Sequence, residues 1–151
     1  MANAPGYRTR LRFGRPLRPL LADLIAFFAS RGIEAYLVGG TLRDALLGRP
    51  QHDIDIAVAA DPLAVGRQLA DALGGHFFPL GPEQGVARIA LPEREIHIDL
   101  TPLGEGVESD LARRDYTIDA MAAPLPAALS PAGVVVIDPC QIGRASCRER
   151  V

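Results

Sequence analysis

The segment that most limits the fold of this chain is the run Asp53-Ile54-Asp55-Ile56-Ala57-Val58. Side chains on a β-strand alternate between faces, so Asp53 and Asp55 share one face while the isoleucines and Val58 share the other. The two carboxylates repel each other, and a divalent cation removes that cost because Mg²⁺ binds one or two carboxylates together with phosphates. The run therefore predicts a half-buried strand with a metal-binding face. The alternative is an edge strand whose acidic face is solvated.

A second run, His97-Ile98-Asp99-Leu100-Thr101, alternates in the same way. If its strand lies beside the first, Asp99 completes a cluster of three carboxylates. Such a cluster can hold two metal ions about 3.5–4 Å apart. His97 lies on the same face, but a neutral surface histidine is its expected state, so we assign it no ligand role.

The segment Gly39-Gly40-Thr41-Leu42-Arg43-Asp44 lies between a predicted strand and a predicted helix. Glycines let the backbone approach a ligand, and the first N–H groups of a helix bind phosphate. Arg43, one turn into the helix, is placed to bind a phosphate oxygen. Thr41 and Asp44 are spaced like a capping box. The alternative is a plain strand-to-helix turn.

Periodicity and turn residues predict the remaining elements. Helices are expected at 18–31, 41–47, 61–73, 108–114 and 117–121, and strands at 34–38, 53–58, 76–80, 86–91, 95–100 and 134–137. This order predicts an α+β fold with a mixed sheet of about five strands flanked by helices.

Composition excludes several classes of protein. No stretch reaches the roughly 20 apolar residues that a membrane-spanning helix needs. The net charge of −2 gives no overall basic field for nucleic acid, so any such contact must be local. No secretory signal is visible, which favours a cytoplasmic protein in which Cys140 and Cys147 are free thiols.

Three segments together resemble the class II tRNA nucleotidyltransferase and bacterial poly(A) polymerase family. Residues 37–48 followed by Asp53-Ile54-Asp55 resemble its first motif. Residues 110–122 are similar to its Arg-Arg-Asp-Phe-Thr-Ile-Asn-Ala-Met-Ala segment, and Val136-Ile137-Asp138-Pro139 to the strand that follows. The match spans about residues 34–140 in the family's order and spacing.

The resemblance implies a polymerase-β-like nucleotidyltransferase fold. It implies that Asp53 and Asp55 bind a catalytic Mg²⁺, with Mn²⁺ as an alternative, and that Asp99 is a third catalytic acid. The nucleotide-binding residues it implies are Gly39, Gly40, Arg43 and Arg114, with Arg113 and Asp115 as further candidates. From the residues alone, the two arginines are equally compatible with a surface ion-pair cluster.

The implied activity is template-independent transfer of nucleotides from CTP and ATP to the 3′ end of RNA by two-metal catalysis, with CCA addition to tRNA as the leading expectation. Poly(A) addition uses the same head, and an inactive nucleotide-binding module is a further alternative. Asp119 stands where the family has Asn, and Pro102-Leu103-Gly104 replaces an aromatic residue and Arg. The family's neck, which selects the base, and its RNA-binding body lie beyond Pro139, so we expect the chain alone to be inactive.

Three regions are expected along the chain. Residues 1–18 are rich in Arg and lack acids, which predicts a mobile basic leader, with a transit-type peptide as the alternative. Residues 19–140 form the nucleotidyltransferase head. Residues 141–151 match the translation of a sequencing adapter and are expected not to be native, a genuine Arg-rich tail being the alternative.

Overall fold

The computed structural model describes residues 6–81, 85–104 and 121–138. Its helices are α1 (Arg18–Ser30), α2 (Gly39–Leu47) and α3 (Pro62–Leu73). Its strands are β1 (Gly6–Thr9), β2 (Ala35–Val38), β3 (Asp53–Val58), β4 (His76–Leu80), β5 (Val86–Leu91), β6 (Ile96–Pro102), β7 (Ala122–Pro124) and β8 (Val134–Ile137). In this part of the chain no helix is long and apolar enough to cross a membrane.

All these strands form one sheet in the order β1-β8-β7-β2-β3-β6-β5-β4. The β3–β6 pair is parallel and the other pairs are antiparallel. The predicted α+β class and mixed sheet are confirmed, but the expectation of about five strands is wrong, since the sheet has eight. The sequence missed β7 because its three residues, Ala-Ala-Pro, have little intrinsic strand preference.

Strand β1 lies in the segment that the sequence assigns to a mobile leader. It pairs with β8 through Gly6↔Ile137 and Thr9↔Val134. A Cβ added to Gly6 would lie 2.6 Å from the carbonyl oxygen of Val136, so glycine allows this close approach. Residues 6–9 are therefore part of the sheet rather than mobile, while the division of the chain into three regions stays a prediction.

The helices cover one face of the sheet. Residues of β3, β5 and β6 that point to this face have no exposed surface, and they pack against α1, α2 and α3 in one core: Ile54, Ile56, Ile89, Ile98 and Leu100. The alternation predicted for β3 and β6 thus puts their isoleucines in the core. The carboxylates of Asp55 and Asp99 are consequently directed to the opposite face.

Capping residues in the sequence set the ends of helix α3. In α3, the Asp61 side chain accepts a hydrogen bond from the backbone N–H of Leu63 at 3.1 Å, and Gly74 ends the helix with φ of +70°. Helix α2 begins two residues earlier than predicted, at Gly39, and has no side-chain cap. The capping-box prediction for Thr41 and Asp44 is therefore wrong, because Thr41 is inside the helix and its hydroxyl bonds to β3.

Candidate active site

Parallel pairing of β3 with β6 brings the predicted acids together. The register sets Asp53 opposite His97 and Asp55 opposite Asp99. The expectation that these two strands are neighbours is confirmed. Asp53 remains 55% exposed at the start of its strand, whereas the Asp99 side chain is 18% exposed.

The carboxyl group of Asp55 has a raised pKa. Burial raises its pKa above the ordinary 3.8, and the neighbouring charge of Asp99 raises it further. Hydrogen bonds from Thr41 oppose the increase, and Asp53 adds to it. The ionised form of Asp55 is therefore short of positive charge in the protein alone, which is the condition that a bound cation would correct.

Thr41 connects the start of α2 to the acidic strand. Its hydroxyl donates to the carbonyl oxygen of Asp53 at 2.9 Å and accepts from the backbone N–H of Asp55 at 2.6 Å. The Asp55 carboxylate lies 3.4 Å from the same oxygen, a secondary contact because the single hydroxyl proton is directed at Asp53. Thr41 is 2% exposed. The sequence missed this role because it interpreted the threonine as a cap.

Gly39 and Gly40 let the N-terminus of α2 lie close to Asp55. Gly39 has φ of +59°, and a Cβ there would lie 3.1 Å from Oδ2 of Asp55. A Cβ on Gly40 would lie 3.2 Å from Nη2 of Arg43. The Arg43 side chain is 38% exposed, and its Nε lies 3.3 Å from Oδ1 of Asp44. The predicted residues Gly39, Gly40 and Arg43 thus lie together at the N-terminus of α2, beside Asp55.

Asp99 has a partner that the sequence did not reveal. Arg88 on β5 pairs with it through two hydrogen bonds, Nε to Oδ1 at 2.8 Å and Nη2 to Oδ2 at 3.0 Å. This bonding raises the pKa of the Arg88 guanidinium. The short connection between the predicted strands at 86–91 and 95–100 could have indicated it, since their antiparallel register sets Arg88 opposite Asp99.

Two carboxylates, those of Asp53 and Asp55, are available to bind a hard cation, whereas that of Asp99 is paired with Arg88. Within residues 6–81, 85–104 and 121–138, no three His, Cys, Asp or Glu side chains are grouped as a metal site. Asp99 is turned to Arg88, and His97 Nδ1 lies 3.5 Å from Asp53 Oδ1. Carboxylate oxygens of Asp53 and Asp55 fit Mg²⁺, which commonly completes its shell with water and substrate phosphates.

Other predicted residues lie outside the described part of the chain. These are the nucleotide-binding candidates Arg114, Arg113 and Asp115, the departure Asp119, and both cysteines.

Comparison with known proteins places the chain beside tRNA nucleotidyltransferases. Residues 35–103 match the model of the Poly A polymerase head domain. The chain is 46% identical over 104 residues to a CC-adding tRNA nucleotidyltransferase of Geobacter sulfurreducens, covering 68% of this chain and 24% of that protein. It is 44% identical over 88 residues to an A-adding tRNA nucleotidyltransferase of Deinococcus radiodurans, covering 58% and 20%.

A solved structure of the Thermotoga maritima CCA-adding enzyme, in complex with tRNA, is similar to this chain with a TM-score of 0.76 and 29% identity. The similarity covers 91% of this chain and 32% of that one. The chain spans about a quarter of the length of the curated relatives named above.

Proposed function

We propose that this chain is the catalytic head of an enzyme that adds nucleotides to the 3′ end of tRNA, because residues 35–103 match the model of the Poly A polymerase head domain. The observation that carries the proposal is that strand β3, with Asp53 and Asp55, lies against the N-terminus of α2 at Gly39 and Gly40. The carboxylate of Asp55 lies beside the N-terminus of α2, where backbone N–H groups can bind phosphate, and nucleotidyl transfer needs a site for a metal ion and a site for phosphate.

In the proposed reaction the 3′-hydroxyl oxygen of the RNA attacks the α-phosphorus of CTP or ATP. A new oxygen–phosphorus bond forms, the bond from the α-phosphorus to the bridging oxygen breaks, and pyrophosphate leaves. The hydroxyl proton passes to water. Gly39 and Gly40 admit the triphosphate to the N-terminus of α2, and Arg43 exchanges its contact with Asp44 for a phosphate oxygen.

We propose that Asp53 and Asp55 hold Mg²⁺, or alternatively Mn²⁺. The ion supplies positive charge for the phosphate oxygens and for the attacking hydroxyl. Thr41 fixes the backbone of both acids, so that their carboxylates keep their positions when the ion binds. Asp99 stays a proposed third acid of the site, and in this structure its carboxylate is paired with Arg88.

We take CCA addition to tRNA as the leading activity because relatives at 44–46% identity are named as CC-adding and A-adding tRNA nucleotidyltransferases. Two such different names at nearly equal identity indicate that this part of the protein handles the triphosphate rather than the base. Poly(A) addition is the second candidate, supported by the description of the matching domain family. The cytoplasmic location stays a prediction.

The test measures incorporation of labelled CTP and ATP into tRNA that lacks its 3′ end, with poly(A)-free RNA as the second acceptor. Because the chain spans only part of the length of its relatives, the test compares residues 1–151 with the full-length protein. Asp53→Asn and Asp55→Asn should abolish transfer, since each removes a metal-binding charge. Asp71→Asn, an exposed acid on α3, is the matched control. Normal turnover by either active-site variant in saturating Mg²⁺ would contradict the assignment.

A further inference from the structure

Four side chains form a row across neighbouring strands on the face that carries the acids. The registers are Phe78↔Arg88, Arg88↔Asp99 and Asp99↔Asp55, on β4, β5, β6 and β3. Residues paired in this way point to the same face of the sheet. Phe78 ends the row and is 49% exposed, the most exposed large hydrophobic residue in the described part of the chain. Core packing does not account for an aromatic ring in this position.

The strand order indicates which reactant lies over the end of the row at Phe78. The glycine turn follows β2, so the triphosphate enters over β2 and β3. Attacking and leaving oxygens lie roughly in line on opposite sides of the phosphorus in transfers of this kind. Pyrophosphate leaves toward α2, and the attacking hydroxyl must therefore approach from the other side of β3. That side is β6, β5 and β4.

We propose that Phe78 and Arg88 form the surface that receives the 3′ end of the RNA, with Phe78 stacking on a base near the terminus and Arg88 binding a backbone phosphate. The inference rests on the proposed function and adds to it two positioning residues for the acceptor strand.

The chemistry of both residues fits single-stranded RNA. Bases splayed out from a single strand stack on exposed aromatic side chains, and every base offers a face for this. Arg88 is held rigid because its Nε and Nη2 bind Asp99. Its side chain is nevertheless 36% exposed, and Nη1 is not used in that pair. A fixed guanidinium beside an exposed ring can therefore bind the phosphate that joins the terminal nucleotides.

The experiment measures KM for the RNA acceptor and for CTP separately, in the full-length protein. Phe78→Ala should raise the RNA KM by about tenfold and leave the CTP KM unchanged. A tenfold change lies in the lower half of the range expected for losing one stacked base. Phe78→Trp should restore the RNA KM. Val135→Ala is the control because Val135 is 43% exposed on the same face of β8, at the far end of the sheet.

Two further readouts separate binding from a structural effect. RNA carrying 2-aminopurine at its 3′ end should lose fluorescence on binding the wild-type protein and keep it with Phe78→Ala, because stacking quenches the probe. Arg88→Gln should reduce the salt dependence of RNA binding by about 0.7 in the log–log slope, the value for one phosphate contact to a single strand.

Equal RNA KM values for Phe78→Ala and Val135→Ala, with normal transfer by the wild type, would overturn the inference and leave the proposed function intact. A wild-type protein that transfers no nucleotide would overturn both. If light scattering shows that Phe78→Ala dissociates an oligomer while the RNA KM stays the same, the ring belongs to a contact between copies of the chain, and the inference is likewise overturned.

Discussion

Replacing Thr41 by valine tests whether one buried hydroxyl organises the acidic strand. The substitution keeps the shape of the side chain and removes the oxygen that accepts from the Asp55 N–H at 2.6 Å and donates to the Asp53 carbonyl at 2.9 Å. Because Thr41 is 2% exposed, water cannot easily take the place of the hydroxyl.

The expected cost follows from those two bonds. A buried N–H left without its partner costs about 1–3 kcal/mol, and the lost bond to the carbonyl about 1 kcal/mol more. Thr41→Val should therefore lower the free energy of unfolding by about 2–4 kcal/mol. Thr41→Ser keeps the hydroxyl and loses one buried methyl group, which costs about 1 kcal/mol.

Urea unfolding of the two variants and the wild type, followed by circular dichroism, measures these differences. Threonine, valine and serine have similar helix propensities, so this contribution to the free energy of unfolding nearly cancels between the variants. The reasoning fails if Thr41→Val is as stable as Thr41→Ser, since the hydroxyl would then contribute no more than a methyl group.

Two other substitutions test the electrostatics and the space of the site. The raised pKa of Asp55 means that its ionised form costs stability at neutral pH, so Asp55→Asn should raise the free energy of unfolding at pH 7 without divalent cations. In urea titrations at several pH values the gain should shrink as the pH falls toward 3.8 and the wild-type carboxyl becomes protonated; a gain independent of pH would contradict the assigned cause. Gly39→Ala should lose about 1–2 kcal/mol from its left-handed backbone and also lose nucleotide transfer, because its Cβ lies 3.1 Å from Asp55 Oδ2. Gly74→Ala has the same backbone strain with no atom within 4 Å, so it should be equally destabilised yet fully active, and equal activity of the two variants would rule out crowding at Asp55.

The strands that could be predicted from the sequence are those in which apolar and polar residues alternate strictly. Strict alternation in β3 and β6 predicted both strands and the shared face of Asp53, Asp55 and Asp99, because a shift by one residue would bury the acids. Gly39 and Gly40 were predictable as the connection from β2 to α2, and their role in binding nucleotide stays a prediction.

The unpredicted contacts depend on which strands become neighbours. Arg88 meets Asp99 only through the register of β5 on β6, and no local pattern distinguishes it from a solvated arginine. Thr41 has the spacing of a cap, but its hydroxyl bonds to β3, a strand that follows α2 in the chain. The strand β1 was missed because its segment is rich in arginine, and its pairing partner lies near the other end of the described chain.

The pairing of β1 with β8 also bears on the order in which the chain folds. Thr9 meets Val134 across most of the chain, whereas β4, β5 and β6 are joined to one another by short connections. Closing a long loop costs more entropy than closing a short one, and contacts distant in sequence slow folding. During synthesis, the β4–β6 meander can therefore form as soon as it leaves the ribosome, while the first strand must wait, unpaired and available to other sheet edges, until nearly the last of these residues has been made.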